Sequence, residues 1–406
     1  MSDLNETSRG MRIAIAFLGR RNAGKSSLLN ALVGYDLAIV SEQAGTTTDP
    51  VDKAVEINPL GPCLVIDTAG IDDSGELGQK RIEKTNLVIK YADVGLIIIG
   101  DGKWTPFEEE SLTTLQAKKK PVIVVLNKTD CFDYAELENE LQDRKLDYVV
   151  TIATAHEGIS ELKQKIRELK NVGGLEEPSI IGDLIKAGDQ VLLVVPIDLG
   201  APKGRLILPQ VQTIRDILDN DGTAIIVKER ELADTLDKMA RLPDLVITDS
   251  QVVLKVAGDV PAEVPLTTFS TIFSRFKGDL RQMVNGVRAI DKLQNGDKVL
   301  IAEACTHHAM ADDIGRVKIP RWMGIYTGRK LQFEIAAGPA FPDDVEKYSL
   351  IVQCGGCTIS RTAYLNRLET AAKRGIPITN YGIAISYVQG VLPRVISPFP
   401  EVRDLV

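Results

Sequence analysis

Residues Gly19-Arg20-Arg21-Asn22-Ala23-Gly24-Lys25-Ser26 have the spacing GxxxxGK[ST], which is that of a loop built to hold phosphate. Glycine lets the backbone close on an anion where a Cβ would collide. The loop amides and the N-terminus of the helix that follows point at the anion. Lys25 can reach the outer phosphates, and the Ser26 hydroxyl can hold Mg2+. Such a loop must sit between a strand and a helix. Residues 11–18 are a short apolar run that reads as a buried strand, and 27–32 read as the helix, so the required context is present.

Further signals follow in order. Residues 41–50, SEQAGTTTDP, form a polar loop whose threonines can offer Mg2+ a second hydroxyl. The strand 63–66 runs into Asp67-Thr68-Ala69-Gly70, where Asp67 can hold the metal through water and the Gly70 amide can meet the γ-phosphate. Two more buried strands, 94–100 and 121–126, lead to Asn127-Lys128-Thr129-Asp130. Asp130 can accept hydrogen bonds from N1 and N2 of guanine, a pairing that adenine cannot make, and such buried pairing rejects the wrong base strongly. Asn127 would tie this loop to the phosphate loop, and the Lys128 stem would cover the base. The strand 148–153 then leads to Thr154-Ala155. The ordered set resembles the small GTPase superfamily over about residues 10–170, and within it the TrmE/Era group. That resemblance implies that Arg21, Asn22, Ala23, Gly24, Lys25, Ser26 and Ser27 surround the phosphates. It makes Asn22 a potassium ligand, Thr47 the switch threonine on Mg2+ (with Thr46 and Thr48 as alternatives), and Thr154-Ala155 the turn on the guanine carbonyl. Lys25, Thr47 and Gly70 form the implied catalytic set. Ile71 stands where Ras-like proteins have a glutamine, and Arg20 and Arg21 read as solvated, with no internal arginine finger. Slow, potassium-stimulated hydrolysis of GTP to GDP follows as the expectation.

A second constellation lies far downstream. The strand 298–304 is followed at once by Cys305-Thr306-His307-His308, and the strand 348–353 by Cys354-Gly355-Gly356-Cys357. Three of the five cysteines and two of the three histidines fall in these segments. Sites in open α/β sheets gather at the carboxyl ends of strands, so the two segments are expected to converge. Three thiolates suit zinc or an iron–sulfur cluster. The fourth ligand is open among His307, His308, Glu303 and Gln353. Cys63 and Cys131 read as inert.

The elements that position these residues call for more than one domain. The chain has 406 residues, 44% hydrophobic and 26% charged, with a net charge of -8. These values fit a soluble globular protein and disfavour nucleic acid as the main partner. No apolar run approaches the roughly 18–20 residues of a membrane span. The polar start lacks a signal-peptide core, which points to the cytoplasm. Residues 171–178, NVGGLEEP, read as a linker. Beyond it, strands at 190–197, 223–228 and 245–248 alternate with helices at 206–218 and 229–242, and 252–256 reads as an edge strand. This describes a mainly parallel α/β domain that is either a spacer or a dimerisation domain. A long helical pattern at 270–293 opens the last unit, and 376–387 carry a mixed run. The expected fold is a P-loop domain over 1–172 followed by two α/β domains over 173–265 and 266–406.

The whole chain resembles the FeFe-hydrogenase maturation GTPases of the HydF family. Cys305-Thr306-His307 matches the family's CxH and Cys354 with Cys357 its CxxC; PITNYGIA at 377–384 and RLILPQ at 205–210 are similar too. Where many members have His before CxxC, this chain has Gln353. That leaves His307, Glu401 or an exogenous group as the fourth ligand. The resemblance implies a homodimeric scaffold that binds a 4Fe-4S cluster and receives a di-iron precursor of the hydrogenase active site. It also implies work with the radical-SAM maturation enzymes HydE and HydG and delivery to apo-hydrogenase. The alternatives are an RNA-modification or ribosome-assembly GTPase and a GTPase with a structural zinc module.

Overall fold

The computed structural model describes residues 12–34, 51–67, 85, 86, 88, 89, 91–172, 179–196, 206–304, 313–338, 341, 342, 344–356 and 359–405. The chain divides into two compact units, Met11–Glu177 and one that includes Pro178–Val406.

The first unit is built on six strands: β1 (Ile13–Leu18), β2 (Val51–Ile57), β3 (Gly61–Asp67), β4 (Val94–Ile99), β5 (Val122–Asn127) and β6 (Tyr148–Thr151). They lie in the order β2-β3-β1-β4-β5-β6, all parallel except β2, which pairs antiparallel with β3. Strand β1 is covered on both sides. Ile13, Ile15 and Phe17 join a core with Leu28 and Leu32, while Ala14, Ala16 and Leu18 join another with Ile66 and Ile97. Burial on both faces explains why β1 is apolar throughout instead of alternating. The phosphate loop leaves its carboxyl end and opens helix α1 (Lys25–Val33). The carboxyl ends of β3, β5 and β6 lie at the same end of the sheet.

The second unit holds two four-stranded sheets, both wholly parallel. One contains β7 (Gln190–Val194), β8 (Thr223–Val227), β9 (Leu245–Thr248) and β10 (Leu266–Thr268) in the order β10-β9-β7-β8. The other contains β11 (Lys298–Ala302), β12 (Gln332–Ala336), β13 (Leu350–Gln353) and β14 (Ile378–Asn380) in the order β12-β11-β13-β14. Helix α2 (Phe269–Lys277) follows β10 directly, and α3 (Arg361–Lys373) follows the CxxC segment. No helix among the described residues is long and apolar enough to cross a membrane.

Some local expectations are corrected. Residues 252–256 are not an edge strand: a 3-10 turn at Ser250–Val252 runs into the helix Val253–Asp259. The Asp249 side chain accepts from the Gln251 amide and starts this turn, while Val253 and Val256 bury one helical face. A short apolar run does not separate the two periods. The long helix over 270–293 is broken after Lys277. A Cβ on Gly278 would lie 2.7 Å from the Tyr364 ring, and Asp279 caps a new helix at Leu280–Val287. The helix expected over 229–242 is only Leu232–Lys238. In the mixed run, β14 hands over to the helix Tyr381–Val388, with the Asn380 side chain accepting from Ile383 N.

Candidate functional site

The phosphate loop is held in shape by its own backbone and by the guanine-side loop. Asn22 and Gly24 both take positive φ, 62° and 91°. A Cβ at Gly24 would stand 2.2 Å from the Asn127 amide nitrogen, so only glycine permits this approach. Lys25 is buried, its ammonium donating to the carbonyls of Gly19 at 2.6 Å and Arg20 at 3.0 Å. The lysine is therefore folded into the curl of the loop.

Asn127 is the tie between loops that its position in the sequence predicts. Its Nδ2 donates to Ala23 O at 3.0 Å; its Oδ1 accepts from Thr151 Oγ1 at 3.1 Å and Ala153 N at 3.2 Å. Lys128 takes φ 63° and its ammonium donates to Asn22 O at 2.6 Å, so its stem spans from one loop to the other. Thr154 and Ala155 are exposed in the 3-10 turn Ala153–Ala155, which is anchored by the buried Ala153. Asp67 ends β3 in register with Phe17, one residue before the end of β1. Asp130 is exposed beside these loops. Thr47 and Gly70 lie outside the described residues.

Two supports were not legible in the sequence. The Tyr134 hydroxyl lies 2.5 Å from Asn127 O and 3.1 Å from Ile99 O, and burial pushes its pKa up to about 12. Arg20 is not simply solvated. Its guanidinium donates to both Asp101 oxygens at 2.8 and 2.6 Å, to Glu108 at 2.9 Å and to Lys103 O at 2.8 Å. Glu108 is fully buried and also accepts from Thr105 N, closing the capping box of the helix Pro106–Ala117. Arg20 thus anchors the loop to the chain after β4. No sequence pattern marks either residue: the partners of Arg20 lie more than 80 positions away, and Tyr134, though only 7 residues from Asn127, belongs to no motif and also reaches Ile99, 35 positions back.

The cysteine segments leave neighbouring parallel strands. Ala302 and Gln353 are in register across β11 and β13. The Cys354 amide donates to Ala302 O at 2.9 Å, and the Cys354 sulfur accepts from the Ala304 amide at 3.1 Å. Gly356 takes φ 64°, and a Cβ there would meet the Tyr364 ring at 2.6 Å. Of the three cysteines, Cys354 is the one among the described residues, and its sulfur is a soft donor of the type that iron and zinc take. Cys305, His307, His308 and Cys357 lie outside the described residues, among which no group of three or more His, Cys, Asp or Glu is placed to share a metal. Of the other fourth-ligand candidates, Glu303 is buried and ion-paired to Arg316 at 2.7 Å. Glu401 is paired to Arg275 at 2.8 Å, and Gln353 is fully buried in its strand.

A strand–loop–helix phosphate site joined to a guanine-type loop, on a six-stranded sheet, defines a P-loop GTPase domain, here followed by α/β modules with parallel sheets. Residues 14–128 match the family model of the 50S ribosome-binding GTPases. Residues 180–278 match the hydrogen maturase F dimerization domain and 281–398 its tetramerization domain. The chain belongs to the hydrogen maturase F (HydF) family. Its GTPase domain is of the TrmE/Era kind. It is 36% identical over 167 residues to the tRNA modification GTPase MnmE of Latilactobacillus sakei, covering 40% of this chain and 35% of that protein. It is 37% identical over 170 residues to MnmE of a Cyanothece strain, covering 41% and 36%. The chain thus spans little more than a third of the curated relatives it matches. Among solved structures, Aquifex aeolicus Era bound to GDP.AlF4- shares 23% identity at a TM-score of 0.32, covering 54% of this chain and 93% of that one. The G domain of the T. maritima FeoB iron transporter shares 24% at 0.29, covering 39% and 98%.

Proposed function

We propose that this chain is a GTP-hydrolysing switch serving an iron–sulfur scaffold, which receives a di-iron precursor of the FeFe-hydrogenase active site and passes it to apo-hydrogenase. The observation that carries the scaffold reading is the pairing of strand ends: Cys354 is hydrogen-bonded to both Ala302 and Ala304, immediately before Cys305 in the chain. In this reading Cys305, Cys354 and Cys357 hold a 4Fe-4S cluster with His307 as fourth ligand. Glu303 and Glu401 would each have to leave an arginine to serve instead. When bound, the cluster supplies an iron anchor for the precursor.

On the nucleotide side, Lys25 and the amides of 21–27 stabilise charge on the β- and γ-phosphates. Gly70 offers its amide to the γ-phosphate. Asp130 selects guanine, helped by Thr154 and Ala155, and Asn127 and Lys128 hold that loop against the phosphate loop. Ser26 and Thr47 are the ligands for Mg2+, with Asp67 acting through water, and Asn22 is the ligand for K+; these cations neutralise phosphate charge. With Ile71 in place of a glutamine, conversion of GTP and water to GDP and phosphate is slow and stimulated by K+. Its role is to time loading or release of the cargo. The domains are a GTP-binding domain over 1–172, a dimerisation domain and a cluster-binding domain, and the boundary between the last two, expected at 265/266, is better taken between 278 and 281, since β10 at Leu266–Thr268 pairs with β9 and the two family matches part there. The protein is a cytoplasmic homodimer in this reading, with the radical-SAM enzymes HydE and HydG upstream and no membrane or nucleic-acid partner.

Anaerobically purified protein should be brown and carry roughly four iron and four sulfide per chain. Cys305→Ala, Cys354→Ala and Cys357→Ala should each lose the colour and keep GTP hydrolysis, and exchanging K+ for Na+ should slow that hydrolysis several-fold. A single zinc without sulfide in the wild type would sink the scaffold reading.

A further inference from the structure

Lys277 is the last residue of α2, and it is only 1% exposed. A lysine at a helix C-terminus gains from the dipole while staying in water, so that role alone does not explain its burial. A buried ammonium is costly unless its protons are hydrogen-bonded. Here the ammonium donates to Gly356 O at 2.6 Å and to Ile359 O at 3.1 Å, some 80 positions along the chain. Those two carbonyls bracket Cys357, and that of Gly356 belongs to the peptide bond into Cys357 itself. Around this contact the end of α2 is packed tightly on the segment that follows the cysteines. Arg361 Nε donates to Phe276 O at 3.3 Å, and both Gly278 and Gly356 approach the fully buried Tyr364 ring too closely for a Cβ.

We infer that Lys277 is a positioning residue for the thiolate site: it ties down the carbonyls of Gly356 and Ile359 and places a buried positive charge beside the turn that follows Cys354. The inference rests on the reading that these cysteines bind a cluster. It adds that the site is assembled from both modules, because Lys277 comes from the stretch matching the dimerization domain and the cysteines from the stretch matching the tetramerization domain. Reducing a thiolate-ligated cluster adds negative charge, so a cation held close by favours the reduced form and raises its potential.

The test compares full-length wild type, Lys277→Met and Lys277→Arg, reconstituted anaerobically with iron and sulfide. Lys277→Met should lose iron to a chelator about ten- to hundredfold more readily, the range for loss of an outer-shell partner. Its remaining cluster should have a more negative midpoint potential in an EPR-monitored titration, and Lys277→Arg should restore both in large part. GTP hydrolysis should be equal in all three. A Lys277→Met protein with wild-type chelator resistance and potential overturns the inference. If Lys277→Met does not fold, Lys277→Arg decides: a potential near that of the wild type supports the role of the charge, and a lost or strongly lowered one overturns it. If the wild type takes up no iron and sulfide, the cluster reading itself fails. Co2+ titration then tests Lys277 alone, and equal thiolate charge-transfer bands in wild type and Lys277→Met overturn it.

Discussion

Several residues that matter most to the nucleotide site act on other residues rather than on a phosphate. Asn127 joins three segments through one buried amide, and Tyr134 stands behind it on the Asn127 carbonyl. Tyr134→Phe should lower the stability of the GTPase domain by about 1 kcal/mol, the net value of a typical hydrogen bond, and weaken GTP binding. The pH dependence has a definite sign. The phenol titrates near 10.0 when exposed and at about 12 in the folded protein. The folded state therefore holds the proton more tightly. Its stabilisation is present below pH 10 and is lost as pH rises toward 12. Thermal melts across that range should show a smaller loss in Tyr134→Phe than in wild type; equal slopes would remove Tyr134 from this role. At this scale the motif residues were legible because their spacing is local. Arg20 and Lys277 were not, because each acts across a long sequence separation, where a lone arginine or lysine looks like any surface residue; Tyr134 was not, because a tyrosine 7 residues past Asn127 belongs to no motif.

The strands that carry the motifs could be read from their apolar runs, since a parallel sheet covered on both faces leaves few other reasons for six successive buried residues. Short amphipathic pieces could not be read in this way. Residues 252–256 have apolar positions that serve either period, and the Asp249 cap decided for a helix. With that segment helical, the outer strands of the second sheet are β8 and β10. Strand β8 leaves Ile226 46% exposed, and β12, at the edge of the third sheet, leaves Ile335 45% exposed. An open edge with an exposed β-branched residue is a ready template for pairing with another chain. Ile226→Lys should therefore lower the oligomeric state in analytical ultracentrifugation. It should weaken the association by at least tenfold, since burying one such side chain is worth about 1.5–3 kcal/mol. An unchanged sedimentation coefficient would rule β8 out as the contact.

Across the whole molecule, the phosphate loop and the proposed thiolate site fall in separate compact units, Met11–Glu177 and the unit with Pro178–Val406. A fragment of residues 11–177 should bind GTP with near wild-type affinity by fluorescence titration, and 178–406 should take up iron and sulfide without it. A fragment of 281–398 should fail to do so, because it lacks Lys277 and the end of α2. If 281–398 held a cluster as firmly as 178–406, the two-module origin of the site would be wrong. The order of these units could be read in the sequence because each carries its own motif. The dependence of one module on the other could not, since a single buried ammonium leaves no compositional trace.

The equal exposure of β8 and β12 has a consequence for assembly. If each edge pairs with its own copy about a two-fold axis, every protomer carries two different axes. Two such axes close into a dihedral assembly of four when they intersect at right angles and propagate into an open filament when they do not intersect. The separation between soluble tetramer and fibre would then depend on the angle between two edges rather than on the strength of either. A substitution that tilts one edge without weakening it should turn a closed particle into a polymer that grows with concentration.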